Sequence, residues 1–140
     1  MMEFEAFIAF MRRYFPIFAL GFFTSLLSIA MAVVVWVDHH WRRDPDYLSY
    51  SMAVGGVLVL VLCVGHFVMI RGLGWAIWAV LPVPIATLLM ALSVFGSGVN
   101  AVLLASALAL PLLALLAFNS MRHRQMRQRL VALRRERKSV

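Results

Sequence analysis

Four stretches of this chain, Pro16 to Val37, Met52 to Ile70, Trp75 to Phe95 and Val99 to Phe118, contain no Asp, Glu, Lys or Arg. At a rise of about 1.5 Å per residue each forms a helix of roughly 28 to 33 Å, which matches the hydrocarbon core of a bilayer. In lipid a backbone has to satisfy its own hydrogen bonds, and for runs of this length the helix does so. The expected fold is an all-α integral membrane protein with four transmembrane helices.

Little chain is left for anything else. Of 140 residues, 64% are hydrophobic and only 14% charged, so no separate soluble domain is expected. The predicted organisation is a transmembrane domain over residues 1–118 and a basic tail over 119–140. The first apolar run continues past Ala30-Met31-Ala32 to Val37, so it reads as a retained helix rather than a cleaved signal.

The short connections predict the architecture. Arg71-Gly72-Leu73-Gly74 and Gly96-Ser97-Gly98 can join only antiparallel neighbours, which gives an up-down bundle. The first loop, Asp38 to Ser51, is longer; its Trp41, Tyr47 and Tyr50 suit an interfacial aromatic belt, and Asp44-Pro45-Asp46 is a turn signal. Before the first span, Phe4, Phe7, Ile8 and Met11 recur at i, i+3, i+4 and i+7, predicting a short surface helix that ends before Pro16.

Basic residues orient the bundle. With four spans, Arg12, Arg13, Arg71 and the eight tail cations Arg122, Arg124, Arg127, Arg129, Arg134, Arg135, Arg137 and Lys138 share one side, and only Arg42 and Arg43 lie opposite. The positive-inside rule places both termini in the cytoplasm, in a bacterial inner membrane. The tail also carries Met126, Leu130 and Leu133 at helical spacing, so a basic amphipathic extension of the fourth helix is expected. Its cations would contact anionic lipid on the cytoplasmic side or an acidic surface of a membrane-protein partner. It has no aromatic residue for base stacking, so nucleic acid is not an expected partner.

Helix contacts in lipid depend on small residues that let backbones approach. Candidate stripes are Gly21, Ser25, Ser28 and Ala32 in the first span, Ser51, Gly55, Gly56 and Gly65 in the second, Ala79, Ala86 and Ser93 in the third, and Ala101, Ala105 and Ala109 in the fourth. They serve as internal seams or as seams against other subunits, including copies of this chain.

Chemistry-bearing residues are sparse. His66 is the one strongly titratable side chain within a span and hence the candidate functional polar site in the membrane, although its place near the end of the second span also suits a structural hydrogen bond. Haem between two histidines is not expected. His39 and His40 fall at the far end from His66, and pairing His66 with His123 would require the tail to fold back. Asp38, His39, His40, Asp44 and Asp46 lack a recognised metal-ligand spacing and read as a solvated loop paired internally with Arg42 and Arg43. The lone Cys63 permits no intrachain disulfide. Pro82, Pro84 and Pro111 free backbone carbonyls and are expected to kink their helices.

No paired carboxylates, activated nucleophile, phosphate loop or metal box stands in this sequence, so neither catalytic residues nor a cofactor are expected. The expected function is non-enzymatic: an accessory, assembly, regulatory or immunity-type subunit of a larger membrane complex. The alternative is a small homo-oligomeric transporter, lipid flippase or holin-like pore.

Overall fold

A computed structural model describes residues 3–140 and is helical nearly throughout. Six helices follow in order: α1 Phe4–Trp41, α2 Tyr47–Ile70, α3 Ala76–Val80, α4 Pro82–Ser93, α5 Ala101–Asn119 and α6 Met121–Ser139. Four segments are long and apolar enough to cross a membrane: α1, α2, the α3–α4 unit Ala76–Ser93, and α5. The chain is thus an integral membrane protein.

Two boundaries differ from expectation. The N-terminal amphipathic segment is not a separate surface helix: α1 runs unbroken for 38 residues with Pro16 inside it. A proline in a helix removes one backbone bond, here to the carbonyl of Arg12, while its fixed φ stays helical, so the surrounding bonds carry the helix through. The third span behaves in the opposite way. Pro82 and Pro84 interrupt it at Leu81, yet Leu81 keeps helical dihedrals and its N–H reaches the Ile77 carbonyl at 2.9 Å. The break is confined to Leu81, and the helix resumes at Pro82.

α1 is the hub, packing against α2, α4 and α5. Its small-residue stripe is buried as expected, Gly21, Ser25, Ser28 and Ala32 all facing inward. Contact here is close enough for a hydroxyl pair: Ser28 donates to Thr87 Oγ1 of α4 at 2.7 Å, and Thr87 donates in turn to the Pro84 carbonyl at 3.1 Å. Ser25 is satisfied by the Gly21 carbonyl at 2.8 Å. The buried hydroxyls of the span interior therefore have partners within the chain.

The other stripes serve only in part as internal seams. In the third span Ala79 and Ala86 are only half-buried and Ser93 is exposed; the inward face is Ala76, Val80, Val83, Thr87, Ala91 and Val94. In α5 the inward residues are Ala107, Pro111, Ala114 and Ala117, leaving Ala101, Ala105 and Ala109 pointing outward. In α2, Gly65 is buried, a Cβ there falling 2.8 Å from Val80 Cγ2, whereas Gly56 has no neighbour within 4 Å. Lipid tails are as apolar as a helix interior, so small and branched residues alternate between seam and lipid without a change in hydropathy.

Three apolar clusters stack along the bundle. One joins Val35, Ala91, Val94 and Ala107. A middle one joins Ile29, Val33, Val37, Leu62 and Val83. The third, at the end where α6 begins, joins Met69, Ala76, Val80, Ala114, Phe118 and Met126.

The tail is not an extension of the fourth span. Ser120 adopts an extended backbone (φ −62°, ψ 149°), which ends α5 and caps α6. Its hydroxyl donates to the Ala117 carbonyl at 2.7 Å and accepts from His123 N at 3.3 Å. The N-cap chemistry of serine outcompetes continuation of the helix. α6 then lies against the bundle, with Met126 buried and Leu130 packed on the same cluster. At the α2–α3 turn Gly72 has φ +72°, and a Cβ on it would collide with the Leu130 carbonyl oxygen of α6. Only glycine meets both requirements there.

Candidate functional site at the tail junction

Docking of α6 assembles side chains that lie far apart in sequence. His66 sits near the end of α2 and is 3% exposed. Its Nδ1–H donates to the Leu62 carbonyl one turn back at 2.9 Å, which leaves Nε2 as an acceptor with no partner. The imidazole is enclosed by rings: Phe18 and Phe22 of α1 meet it edge-on at 5.4 and 5.0 Å, and Phe118 of α5 lies at 5.7 Å. The structural hydrogen bond that the sequence allows for His66 is made to a carbonyl of its own helix, while three phenyl rings surround the imidazole and Trp75 and Trp78 are exposed.

His123 packs on the same Phe118, ring centroids 5.2 Å apart at 72°, and is fully buried. The tail does fold back, which the sequence treated as the condition for bringing His66 and His123 together. Phe118, in contact with both imidazoles, fills the space beside each. Neither ring nitrogen of His123 has a hydrogen-bond partner. Burial, then the Arg127 charge, then His66 push the His123 pKa down to about 4. Arg127 Nη2 donates to the Phe118 carbonyl at 3.4 Å, satisfying one exposed carbonyl at the end of α5. Burial, and after it the neighbouring Arg124, lowers the Arg127 pKa from its ordinary value. His123 packs on Phe118 as an uncharged ring, and the docked tail opposes its charging.

The tail cations divide by position. Arg134 and Arg137 join Arg71 of the α2–α3 turn around one cleft. Arg124, Arg127 and Arg135 line a second beside Gly74 and Gln128. Arg122, Arg129 and Lys138 point outward. A further link to the first helix runs from Arg13 Nη2 to Gln125 Oε1 at 3.4 Å. The signal that would have found the junction is the pairing of an N-cap serine with an obligatory glycine in the facing turn, Ser120 and Gly72.

At the opposite end the polar loop makes contacts of its own and shares a cleft with the turn over residues 97–100. Trp41 stacks near Trp36 and Tyr50 at 4.8 and 5.3 Å, and His40 Nδ1–H donates to the Trp36 carbonyl at 2.9 Å. Asp44 Oδ1 accepts from Asp46 N at 2.9 Å, closing the expected turn, and Arg42 stands 3.9 Å from Asp38 in an exposed pair of the kind that adds little stability. Among the described residues no three His, Cys, Asp or Glu side chains are gathered as a metal site. Comparison with family models, curated proteins and solved structures finds no match to this chain. The functional reading therefore rests on the molecule's own surfaces.

Proposed function

We propose that this chain is a non-enzymatic accessory subunit of a larger membrane complex, inserted as an up-down bundle with both termini and α6 on the cytoplasmic side. The observation that carries the reading is the outward stripe Ala101, Ala105 and Ala109 on α5. Small residues at every fourth position let a second backbone come close, and in lipid that approach replaces the missing hydrophobic force. The bundle does not use this stripe for its own packing, since α5 turns Ala107, Ala114 and Ala117 inward instead. Orientation is supported by the distribution of basic residues, with Arg42 and Arg43 the only cations on the loop side.

A crosslinking experiment tests the proposal. In a Cys63→Ser background, Ala105→Cys carrying a photoreactive maleimide should give a discrete heterologous adduct in native membranes. The same probe at the buried Ala107 should give none. Adducts only to a second copy of the chain would support the homo-oligomeric transporter or pore, and no adduct from position 105 would leave the stripe facing lipid. Ser97→Cys and Arg124→Cys should label from opposite sides of the membrane; labelling from one side would contradict the up-down arrangement.

A further inference from the structure

A cleft of about 600 Å³ opens between the end of α2, with the turn that follows it, and α6, lined by Phe67, Ile70, Arg71 and Leu73 from the one and by Leu130, Arg134 and Arg137 from the other. Phe67 and Ile70 belong to the last turn of α2, and Arg71 is the first residue beyond it. The apolar residues at the α2 end are thus continuous with the surface of a spanning helix, and Arg71 stands at its end.

Two features show that Arg71 and Arg134 are held rather than free. Arg71 places its Cζ 5.1 Å over the Phe67 ring, a cation–π contact that fixes the guanidinium at the rim. Arg134 turns Nη1 into a buried position where it has no hydrogen-bond partner. A buried cationic donor without an acceptor is unfavourable, so this atom calls for an anionic oxygen. The described residues supply none. The one acidic residue of α6, Glu136, does not line the cleft, and the only ion pair among the described residues is Arg42 with Asp38 at the other end of the bundle. Gly72 closes the turn against Leu130, so the two walls meet without a gap.

We propose that this cleft binds an anionic phospholipid, the three guanidinium groups holding the headgroup phosphate while an acyl chain lies along Phe67 and Ile70. Guanidinium forks match phosphate oxygens in two-pronged hydrogen bonds. Basic pockets beside membrane helices take acidic headgroups by this chemistry. The apolar floor separates a phosphate carrying acyl chains from free phosphate, which would leave Phe67 and Ile70 uncovered. The site is specific in a way that a basic surface is not, because it uses three of the cations and not the rest.

The test uses the full chain, delipidated in an uncharged detergent, with short-chain phosphatidylglycerol as the probe and native mass measurement as the readout. The intact protein should retain the lipid in defined stoichiometry, and Arg71→Gln with Arg134→Gln should weaken binding by about tenfold or more. Ile70→Ala, a change at an exposed position that leaves the Arg71–Phe67 contact and all three cations in place, should also weaken it. Arg122→Gln with Arg129→Gln removes the same charge outside the cleft and should leave binding within about twofold of the intact protein. Equal weakening by the two double variants would overturn the proposal in favour of diffuse charge attraction. Inorganic phosphate binding as tightly as the lipid, or Ile70→Ala without effect, would overturn the role of the acyl chain.

Discussion

Gly21 of α1 backs directly on Phe118 of α5: a Cβ at position 21 would lie 2.7 Å from Phe118 Cε1, closer than real atoms approach. That contact sets where Phe118 sits, and Phe118 in turn packs on His66 and His123. The position of a single glycine in the first span therefore reaches the docked tail.

Gly21→Ala gives two opposed effects. Alanine is a better helix former by about 1 kcal/mol, and overpacking a tight contact costs about 1 to 3 kcal/mol. The collision should win, so the variant is expected to be less stable in thermal unfolding, and the loss should shrink in a Phe118→Leu background. Gly56→Ala, with nothing within 4 Å, should be neutral or stabilising. Equal effects at the two glycines would show that the close contact does not matter.

The Ser28–Thr87 pair joins the first and third spans at 2.7 Å. Hydrogen bonds between membrane helices are worth about 0.6 kcal/mol on average, because the separated helices also find partners. Thr87→Val should lower stability by about 0.5 to 1.5 kcal/mol, since it leaves the Ser28 hydroxyl without its acceptor. Adding Ser28→Ala should cost little more, and a double-mutant cycle on unfolding free energies measures the coupling. Fully additive losses would show that the two hydroxyls act independently.

Tail docking should depend on pH through His123. Its pKa is about 4 when docked, against about 6.5 for an exposed imidazole. Above about pH 6.5 both docked and undocked tails hold a neutral ring, and pH has no effect through this group. Between about 6.5 and about 4 the undocked tail takes up a proton that the docked one refuses, so docking weakens as pH falls. Spin labels at Arg12 and Arg129 should move apart in a growing fraction of molecules between about pH 7.5 and about pH 4.5. His123→Leu, which keeps an apolar group against Phe118, should hold the tail down at both pH values. An unchanged pH response in that variant would assign the effect to another group, with His66 the nearest.

Much of this fold is legible in the sequence because charge-free runs of 19 to 22 residues have one physical solution in lipid. The spans, the short turns and the amphipathic face of the tail with Met126 and Leu130 all follow from spacing. What spacing does not carry is the partner of each face. Val80, Val83 and Ala91 were hidden among equally apolar lipid-facing residues, so Ala79, Ala86 and Ser93 looked like the better seam. The break at Ser120 is marked by one capping residue amid good helix formers. The place of His66 along α2 points to its hydrogen bond but not to its enclosure, since Phe18, Phe22 and Phe118 reach it from two other helices. Long-range contact, more than helix content, is the part a periodic pattern leaves open.

The most direct test of the accessory-subunit reading is purification of the intact chain from its native membranes in a gentle detergent, followed by mass measurement of the complex. A heterologous membrane protein should accompany it in fixed stoichiometry. That association should be lost in Ala105→Leu, which fills the outward stripe of α5 with a bulky side chain while leaving the buried face of Ala107 and Ala114 unchanged. Recovery of the chain alone, or of a homo-oligomer indifferent to Ala105→Leu, would contradict it.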